Sequence, residues 1–480
     1  MRARAEQRVV ELERELQGAR APRPTASNSS LPPSANPIGA KPPVIKKPTG
    51  RKPGGQIGHK GKSRTLLPVE QVNHLVAHRP VVCAECQQAI APGASGEVVG
   101  RHQVAELPPT AVEITEHQAL ACRCGRCGHV SRGLIPDEVR ASVTGPRLSA
   151  AIGLLGASMK GSRRAIAQML REVLGCPMAL GSVCAREKEL CRALAGPHEA
   201  LVAAAAHAKI KYVDETGWKL RGKSRWLFVS ADREQVVFHI DKARTRPAFA
   251  ALYGNDVRPN GRPRGIFCTD RAGIYDILSI KSRQLCWAHL GRDFVAALER
   301  DGAGAPAATE MLGVYHDLFE SWHRFTGKQI RRSELRAAIE PLRTRMHQAL
   351  TQGAAGRKTK TAGLCRSLLK REEALWRFAR TPGLEPTNNL AERMLRPAVI
   401  WRKKSFGSAS LTGCHYVERM LSVTETLRLR GHATLAYLAN AVAAHRQGIP
   451  TPAILPRELK PTLSHTTTPE RIEPNLRKIA

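Results

Sequence analysis

Three acidic side chains have the types and positions that suit metal-dependent chemistry on phosphate esters. Asp214 follows the largely apolar run 210–213, and Asp270 follows a second run, 265–269. Glu392 lies much later, in a segment with a helical pattern. In-line attack on a phosphodiester benefits from two divalent cations roughly 3.5–4 Å apart, and hard cations prefer carboxylate oxygens. The three acids are therefore the candidate catalytic residues and the ligands of two Mg²⁺ or Mn²⁺ ions, with Asp214 bridging both.

The surroundings of Glu392 are basic, because it is the only acidic residue between positions 386 and 417. An isolated carboxylate among cations is typical of a metal ligand that faces a phosphate backbone. The alternative is an i,i+4 ion pair with Arg396 on a solvated helix, with the neighbouring asparagines capping that helix. The residues predicted to contact DNA here are Asn388, Asn389, Arg393, Arg396, Arg402, Lys403 and Lys404.

The elements that must position the first two acids follow a strand and helix pattern typical of an RNase H-like mixed sheet. In such a sheet the ends of the first and fourth strands are neighbours, so Asp214 and Asp270 meet. Glu392 then arrives on a later helix, for which Thr387 is the predicted N-cap. The predicted strands are 210–213, 225–229, 236–240, 265–268 and 283–287, with a helix at 247–252.

Composition favours a nucleic-acid partner. The chain has 480 residues, which predicts about three domains, and a net charge of +34, which would strongly repel itself without a polyanion nearby. A membrane surface is the competing partner, but no apolar run approaches the roughly 18 residues that span a bilayer. The charged N-terminus has no signal-peptide pattern. We therefore expect a cytoplasmic protein with reduced cysteines and no membrane partner.

Residues 1–65 form a basic arm with fourteen Lys and Arg against four Glu. Positions 4–17 have helical spacing, which predicts a short zipper-like helix or a frayed terminal one. From residue 21 onward Pro, Ser, Gly and Lys dominate, which indicates a linker that cannot bury a core. Lys60, in a glycine-rich stretch, is a candidate phosphate contact, although a solubilising tail explains the same composition.

Two C-x2-C pairs indicate a zinc site. Each pair can present two thiolates from a tight turn, and two turns complete a tetrahedral four-sulfur shell around one structural Zn²⁺. The pairs are 37 residues apart, and Cys122 is a spare ligand. The alternative is a small domain with reduced, unliganded cysteines. The predicted ligands are Cys83, Cys86, Cys124 and Cys127.

Positions 146–195 predict short helices broken by Gly161-Ser162 and by 175–177. Helix, turn, helix is an arrangement that enters the DNA major groove, and Arg163 and Arg164 would then lie near the phosphate backbone. An ordinary helical bundle that connects two domains is equally consistent with this pattern.

The order of these motifs resembles the IS66 insertion-sequence family of transposases over nearly the full chain. The resemblance implies a DDE core of Asp214, Asp270 and Glu392, with helical residues inserted at about 291–380. It also implies small accessory proteins encoded by the same element. The motifs are the N-terminal helix, the linker 29–34, Gly-Gly-Gln-Ile-Gly-His-Lys-Gly at 54–61, the C-x2-C pairs, Asp214-Glu215-Thr216, Cys286-Trp287-Ala288-His289 and Asn389-x-x-Glu392-Arg393. Departures from the family pattern are the short helix, Ile57 and Gly291.

The predicted fold is multidomain α+β with an RNase H-like core. The predicted parts are a helix at 1–20, a basic linker at 21–70, a zinc-binding domain at 71–140, a helical domain at 141–205, a catalytic core at 206–430, and a C-terminal helix and tail at 431–480. The predicted function is a nucleoid-associated bacterial transposase that cleaves element ends and joins them to target DNA, acting as a homo-oligomer on double-stranded DNA. The alternatives are an RNase H-like nuclease without strand transfer and a catalytically inactive zinc-containing DNA-binding regulator.

Overall fold

The computed structural model describes residues 66–93, 95–105, 112–140, 142–253, 264–300, 304–355 and 359–455. The architecture is mixed α+β, with one two-stranded and one five-stranded sheet in the described part. The predicted N-terminal helix, most of the linker and Lys60 lie outside the described residues. No helix of the described ranges is both long and apolar enough to cross a bilayer.

The cysteine-rich segment contains little regular structure. Strands β1 (Ala121–Arg123) and β2 (Val130–Arg132) form an antiparallel pair around the second C-x2-C turn. A single bridge between Val82 and Ala89 closes the first turn in the same way. None of the described residues between 66 and 143 is buried. This part of the chain therefore has no hydrophobic core of its own, a situation in which small domains depend on metals or partners.

Five helices follow, and they confirm the helical pattern predicted for 146–195. Ser162 caps the third of them by accepting the Ala165 N–H, and Gly175, at φ 60°, ends it in the left-handed region. Ile152, Ile166 and Leu170 pack together with Val183 in a small core. The helices are α1 (Asp137–Arg140), α2 (Pro146–Ala157), α3 (Arg163–Leu174), α4 (Leu180–Ala193) and α5 (Ala195–His207).

The central sheet has the predicted meander of three strands, then a helix and a fourth strand. The elements are β3 (Ile210–Leu220), β4 (Lys223–Ala231), β5 (Val236–Asp241), α6 (Arg246–Ala251), β6 (Ile266–Thr269) and β7 (Arg283–Leu285). The strand order is β5-β4-β3-β6-β7, with β3–β4 and β4–β5 antiparallel and β3–β6 and β6–β7 parallel. The fifth strand is shorter than predicted, because Trp287 begins a helix.

The register of β3 on β6 sets the position of the first two acids. Tyr212 pairs with Cys268, so Asp214 and Asp270 each lie two residues beyond a matched pair. The prediction that the first and fourth strands are neighbours is thus confirmed. Asp214 is not at a strand end, however, because β3 continues to Leu220 in its antiparallel pairing with β4. Asp214 lies where the parallel partner β6 stops.

The chain between β7 and Glu392 is helical, as the predicted insertion requires. Its first helix buries Leu290 and Phe294 in the same core cluster as residues of the sheet. The ring of Trp287 lies 5.1 Å from that of Trp376 near the end of the stretch. The two longest helices contact each other along their length and bury Leu318 and Met346 in the main core. The helices are α7 (Trp287–Glu299), α8 (Ala305–Thr326), α9 (Arg332–Ala354), α10 (Lys360–Leu369) and α11 (Arg377–Arg380).

Three helices complete the described chain, α12 (Asn389–Ser405), α13 (Leu411–Leu429) and α14 (Thr434–Arg446). The N-cap predicted at Thr387 is wrong by one residue, because Asn388 precedes the first helical residue and makes no side-chain cap bond. Asn388 instead uses its side chain for a tertiary contact. Helix α14 packs against α2 and α4, so the helices of 146–195 are part of one packed body with the C-terminal helices.

Helix α13 lies along the outer strand β5. The oxygens of Glu418, Ser422 and Thr426 accept backbone N–H groups of β5 at 2.6, 2.9 and 3.0 Å. An outer strand presents a row of unpaired N–H groups, and these side chains satisfy three of them. The sheet edge is therefore capped by polar positions of a helix.

Candidate active site

Asp214 lies inside a crowded group of acids. Its Oδ1 accepts the Glu215 N–H at 2.9 Å. Burial raises the pKa of the Asp214 carboxyl to about 8, and the charges of Glu215 and Asp270 add to the rise. A carboxylate in this position is costly without a cation nearby. The local charge balance therefore favours a bound cation at Asp214.

Asp270 follows β6 directly. Its Oδ1 accepts the Ala272 N–H at 2.8 Å, which fixes the carboxylate in a local turn. Its Oδ2 lies 4.0 Å from Nη2 of Arg244. One carboxylate oxygen of Asp270 is thus held by the backbone, while the other faces the acids around Asp214 and the guanidinium of Arg244.

Three residues that the sequence did not single out surround these acids. The Glu215 carboxylate accepts hydrogen bonds from Arg244 Nε at 2.7 Å and from the Tyr275 hydroxyl. Burial raises the pKa of Glu215, and the charge of Asp270 raises it further. Arg244 is close to both acids and partly balances them. Glu215 was visible as the neighbour of Asp214, but no spacing signal marks Arg244 or Tyr275.

Glu392 lies in the first turn of α12, where the helix dipole favours a negative charge. Its Oε1 is 3.6 Å from Nδ1 of His289, and its Oε2 is 3.9 Å from Nη2 of Arg292. Within the described part of the chain, the buried Glu392 Oε1 and His289 Nδ1 atoms have no hydrogen-bond partner. Both atoms are therefore available to a ligand.

Asn388 joins the two parts of the site. Its Nδ2 donates to the Val213 carbonyl at 2.7 Å, next to Asp214, and its backbone N–H donates to Cys286 Sγ at 3.1 Å. The Glu392 N–H in turn donates to the Asn388 carbonyl at 3.1 Å. The start of the Glu392 helix is thus bonded to the strand that carries Asp214. Asn388 is fully buried, so the phosphate contact predicted for its side chain is not accessible in this structure.

His289 lies near predicted catalytic acids of both the sheet and α12. Burial alone would lower its pKa, but interaction with Cys286 and then the charges of Asp214 and Glu392 raise the pKa of His289 to about 10. The imidazole therefore interacts with an acid from the sheet and an acid from α12. Both acids are therefore close enough for their charges to act on the same imidazole.

The donor set fits hard divalent cations. Carboxylates are the usual Mg²⁺ and Mn²⁺ ligands, and one buried oxygen of Glu392 has no hydrogen bond. In the described residues, the ligand atoms that lie within 4.8 Å of one another belong to Cys286, His289 and Glu392, not to the three predicted catalytic acids. A two-ion site does not require such tight spacing. Acids that bind different ions are held apart by the distance between the two ions.

The sequence matches the model of the family described as "Transposase IS66 family" over residues 143–416, more than half of the chain. The chain belongs to the IS66 transposase family. Asp214, Asp270 and Glu392 all lie inside the matched IS66 region, together with Cys286 and His289. The two C-x2-C pairs lie before that region.

Two curated proteins of Sinorhizobium fredii are similar to this IS66-family chain. The uncharacterized protein y4qI is 30% identical over 185 residues, which cover 37% of this chain and 34% of the relative. The uncharacterized protein y4hP is 26% identical over 249 residues, which cover 45% and 43% respectively. The similarity therefore spans less than half the length of each relative.

In this IS66-family chain, each of the two C-x2-C pairs, here called cysteine knuckles, forms its own turn. Hydrogen bonds from the N–H groups of Cys86 and Glu85 lower the pKa of Cys83. The corresponding bonds from Cys127 and Arg126 lower the pKa of Cys124. Such turns favour the thiolate, which is the metal-binding form. No three of these thiols lie within 4.8 Å of one another in the described part, so the four-sulfur zinc site stays a prediction.

The predicted DNA-contacting residues of this family member differ in exposure. Arg402 donates to Thr216 Oγ1 at 2.9 Å and to the Gly217 carbonyl, so it anchors α12 to β3 and is not a free surface cation. Arg163 is exposed but pairs with Glu187 at 2.7 Å. The other predicted contacts in the described ranges are exposed, namely Arg164, Asn389, Arg393, Arg396, Lys403 and Lys404.

Proposed function

We propose that this IS66-family chain is a DDE transposase that cleaves DNA at the ends of its element and joins the 3′-hydroxyls to target DNA. The observation that carries the proposal is the bond from Asn388 to Val213, which fixes the start of the Glu392 helix beside the Asp214 strand. Asp270 follows the parallel neighbour of that strand. Three acids distant in sequence are thereby attached to one scaffold.

We further propose that the central sheet is an RNase H-like core. Support comes from its three-stranded antiparallel meander followed by two parallel strands, with the first and fourth strands adjacent. The helical stretch between β7 and α12 then corresponds to an insertion before the third acid. In this arrangement the sheet holds Asp214 and Asp270 rigidly, while α12 supplies Glu392.

The proposed chemistry assigns a different role to each acid. Asp214 would hold both metal ions, Asp270 one and Glu392 the other. When bound, two Mg²⁺ or Mn²⁺ ions supply activation of the attacking oxygen and stabilisation of the leaving oxygen. The chain's own contribution is position: backbone N–H groups orient Asp214 and Asp270, and Asn388 holds the Glu392 helix. Arg244 limits repulsion among the acids.

DNA is the proposed partner, with double-stranded element ends and target as substrates. The exposed cations of α12, among them Arg393, Arg396 and Lys403, follow Glu392 on the same helix. A phosphate backbone beside the acids would contact these side chains and release counterions. We propose that the protein acts as a homo-oligomer on DNA, because two ends must be cut and joined together.

The decisive experiment uses the full-length protein, labelled duplexes from both ends of its element, and Mg²⁺ or Mn²⁺. We expect cleaved ends and joined products. Asp214→Asn, Asp270→Asn and Glu392→Gln should each reduce both by about a hundredfold or more, since metal-borne stabilisation is worth several kcal/mol and about 1.4 kcal/mol is tenfold. DNA binding should persist in all three variants.

Asp317→Asn is the matched control, because Asp317 lies on α8 and pairs with Arg345 away from the acids. Full activity is expected from it. Cleaved ends without joined products would instead identify a nuclease. Cleavage that survives all three active-site substitutions would exclude the assignment of these acids, and DNA binding without cleavage in the unmodified protein would favour a regulator.

A further inference from the structure

We propose that Cys286, His289 and Glu392 form a binding site for one thiophilic divalent cation of the zinc class, distinct from the hard cations proposed for the acids. The binding itself does not depend on the proposed function. Only its effect on cleavage rests on that function, since Glu392 belongs to both sites.

The geometry of the three side chains is the first argument. One ligand atom from each residue lies within 4.8 Å of the other two. The Glu392 Oε1 to His289 Nδ1 distance is 3.6 Å. Zinc bonds nitrogen and oxygen at about 2.0–2.2 Å, so two such ligands on one tetrahedral ion are about 3.3–3.6 Å apart. The observed separation is the one that a shared ion produces.

The second argument is the hydrogen-bonding state of these atoms. Glu392 Oε1 and His289 Nδ1 are both buried, and neither has a partner in the described part of the chain. A distance of 3.6 Å is too long for a direct hydrogen bond between them. Buried polar atoms without partners are costly, and one cation would satisfy both.

The third argument is the setting of the thiol. Cys286 is buried, and its Sγ accepts the Asn388 N–H at 3.1 Å. Cys286 also directly precedes the first residue of α7. His289 follows three residues later, so both side chains lie on one face of the first turn. A C-x2-H pair on one helix and a carboxylate from another make a three-ligand set with an open position.

The competing explanation is a simple ion pair between protonated His289 and Glu392. An ion pair needs no thiol, yet Cys286 lies within the same 4.8 Å radius. A bound ion uses the sulfur, the nitrogen and the oxygen together. The two explanations therefore differ in one measurable property, the participation of the Cys286 sulfur in metal binding.

A metal at this site has a consequence for the proposed reaction. Because Glu392 Oε1 would bond the zinc-class ion, that oxygen would be withdrawn from a Mg²⁺ or Mn²⁺ ion. We therefore expect micromolar Zn²⁺ to inhibit Mg²⁺-dependent cleavage by the unmodified protein. The site would make the transposase sensitive to free zinc.

The binding test uses reduced, metal-stripped full-length protein titrated with Cd²⁺, whose bonds to thiolates absorb in the ultraviolet. The unmodified protein should bind one more equivalent with a thiolate band than Cys286→Ser. Cys365→Ser is the matched control, because Cys365 is also a buried thiol but packs between helices of the insertion. It should leave the number of equivalents unchanged, and the cysteine knuckles should contribute equally to all three proteins.

A second variant keeps the test decisive if Cys286→Ser unfolds. Glu392→Gln removes a ligand charge on a partly exposed side chain, and we expect Cd²⁺ affinity at this site to fall by more than about tenfold, since even outer-shell changes cost about 10–100-fold. Identical titrations for the unmodified protein, Cys286→Ser and Glu392→Gln would overturn the proposal and leave the ion pair.

The activity arm separates this proposal from the proposed function. Zn²⁺ should inhibit the unmodified protein strongly and Cys286→Ser weakly, each compared with its own rate in Mg²⁺ alone. Absence of any cleavage would count against the transposase proposal while the Cd²⁺ titration still decides the metal site. Equal inhibition of both proteins by Zn²⁺ would show that the ion acts elsewhere and would contradict the inferred effect.

Discussion

The side-chain amide of Asn388 donates to the backbone carbonyl of Val213 at 2.7 Å, and both partners are buried. This bond joins the start of a helix to the middle of a strand across 175 positions of sequence. Glu392 lies one helical turn after Asn388, and Asp214 directly follows Val213. The relative position of two proposed catalytic acids therefore depends on a residue that is itself fully buried.

Asn388→Ala should impair cleavage by position rather than by ligand loss. The Val213 carbonyl loses its donor, so we expect unfolding to become easier by about 1–3 kcal/mol. Cleavage per folded molecule should fall by about tenfold to a hundredfold, because small misplacement of reacting groups is costly. Urea titration and end-cleavage rates measure the two effects. Asn440→Ala, an exposed asparagine on α14, is the control, and equal rates for both variants would contradict the positioning role.

Glu418 should make stability depend on pH in the acid range. Burial would raise its pKa, but hydrogen bonds from His239, His415 and the Ile240 N–H lower the pKa of Glu418 from 4.5 to about 2. A lowered folded pKa gives stability that is present above about pH 4.5 and lost as the pH falls toward 2, worth roughly 3 kcal/mol in total. Glu418→Gln should flatten the stability profile in that window.

At higher pH, His239 and His415 give stability the opposite dependence on pH. The hydrogen bonds to Glu418 raise the pKa of His415, and they raise that of His239 in spite of its burial. Their contribution is complete below pH 6.5 and declines as the pH rises through the raised values. Urea titrations from pH 3 to 9 check both limbs, with the exposed Glu234→Gln as control. A Glu418→Gln profile that runs parallel to the unmodified one would exclude this cluster as the source.

Gly407→Ala should destabilise the junction between α12 and the β3–β4 hairpin. Gly407 has φ 110°, and a Cβ there would collide with the Lys219 carbonyl oxygen. Backbone strain and collision together should cost more than about 2 kcal/mol. Gly431→Ala is the matched control, since Gly431 has φ 69° but open space around it, and we expect about 1 kcal/mol there. Equal thermal shifts for the two variants would contradict the close approach.

Basic residues of α12 should separate into DNA contacts and structural anchors. Lys403→Ala and Arg396→Ala each remove an exposed cation, so the salt dependence of DNA affinity should decrease by about one unit of log-log slope per contact. Arg402→Ala should mainly reduce folding stability, because its guanidinium donates to Thr216 and Gly217. Binding titrations at several salt concentrations, with urea titrations alongside, distinguish the classes. If neither Lys403→Ala nor Arg396→Ala changes the salt dependence of DNA affinity, these two residues do not contact DNA.

The sheet could be predicted from sequence because its strands have strong local patterns. Runs such as 236–240 are apolar and β-branched, and the turns between them are polar. The extension of β3 past Asp214 could not be predicted in this way. Residues 215–220 combine two charged residues and a glycine with a threonine and two large apolar residues, and they form a strand because β4 pairs with them as far as Leu220. Tertiary pairing here overrides weak local propensity.

Within the site, the proposed metal ligands could be predicted from the sequence because each acid follows a recognisable pattern. The residues that support these acids could not be predicted. Arg244 reaches Glu215 from a loop after β5, and Tyr275 does so from the short helix Gly273–Ile277, so only the folded chain brings them together. The sequence predicted that Asn388 caps the helix or contacts phosphate. In the structure its side chain is buried and donates to the Val213 carbonyl.

Both outer strands of the five-stranded sheet are covered by other parts of this same molecule. Side chains of α13 accept the N–H groups of β5. Strand β7 packs against the segments Glu372–Leu375 and Arg377–Arg380 of the helical insertion, to which the Gln284 side chain is bonded. Within the described part of the chain, another copy therefore finds neither outer strand of this five-stranded sheet free for pairing. We therefore expect any assembly that brings two DNA ends together to use surfaces other than the edges of this sheet.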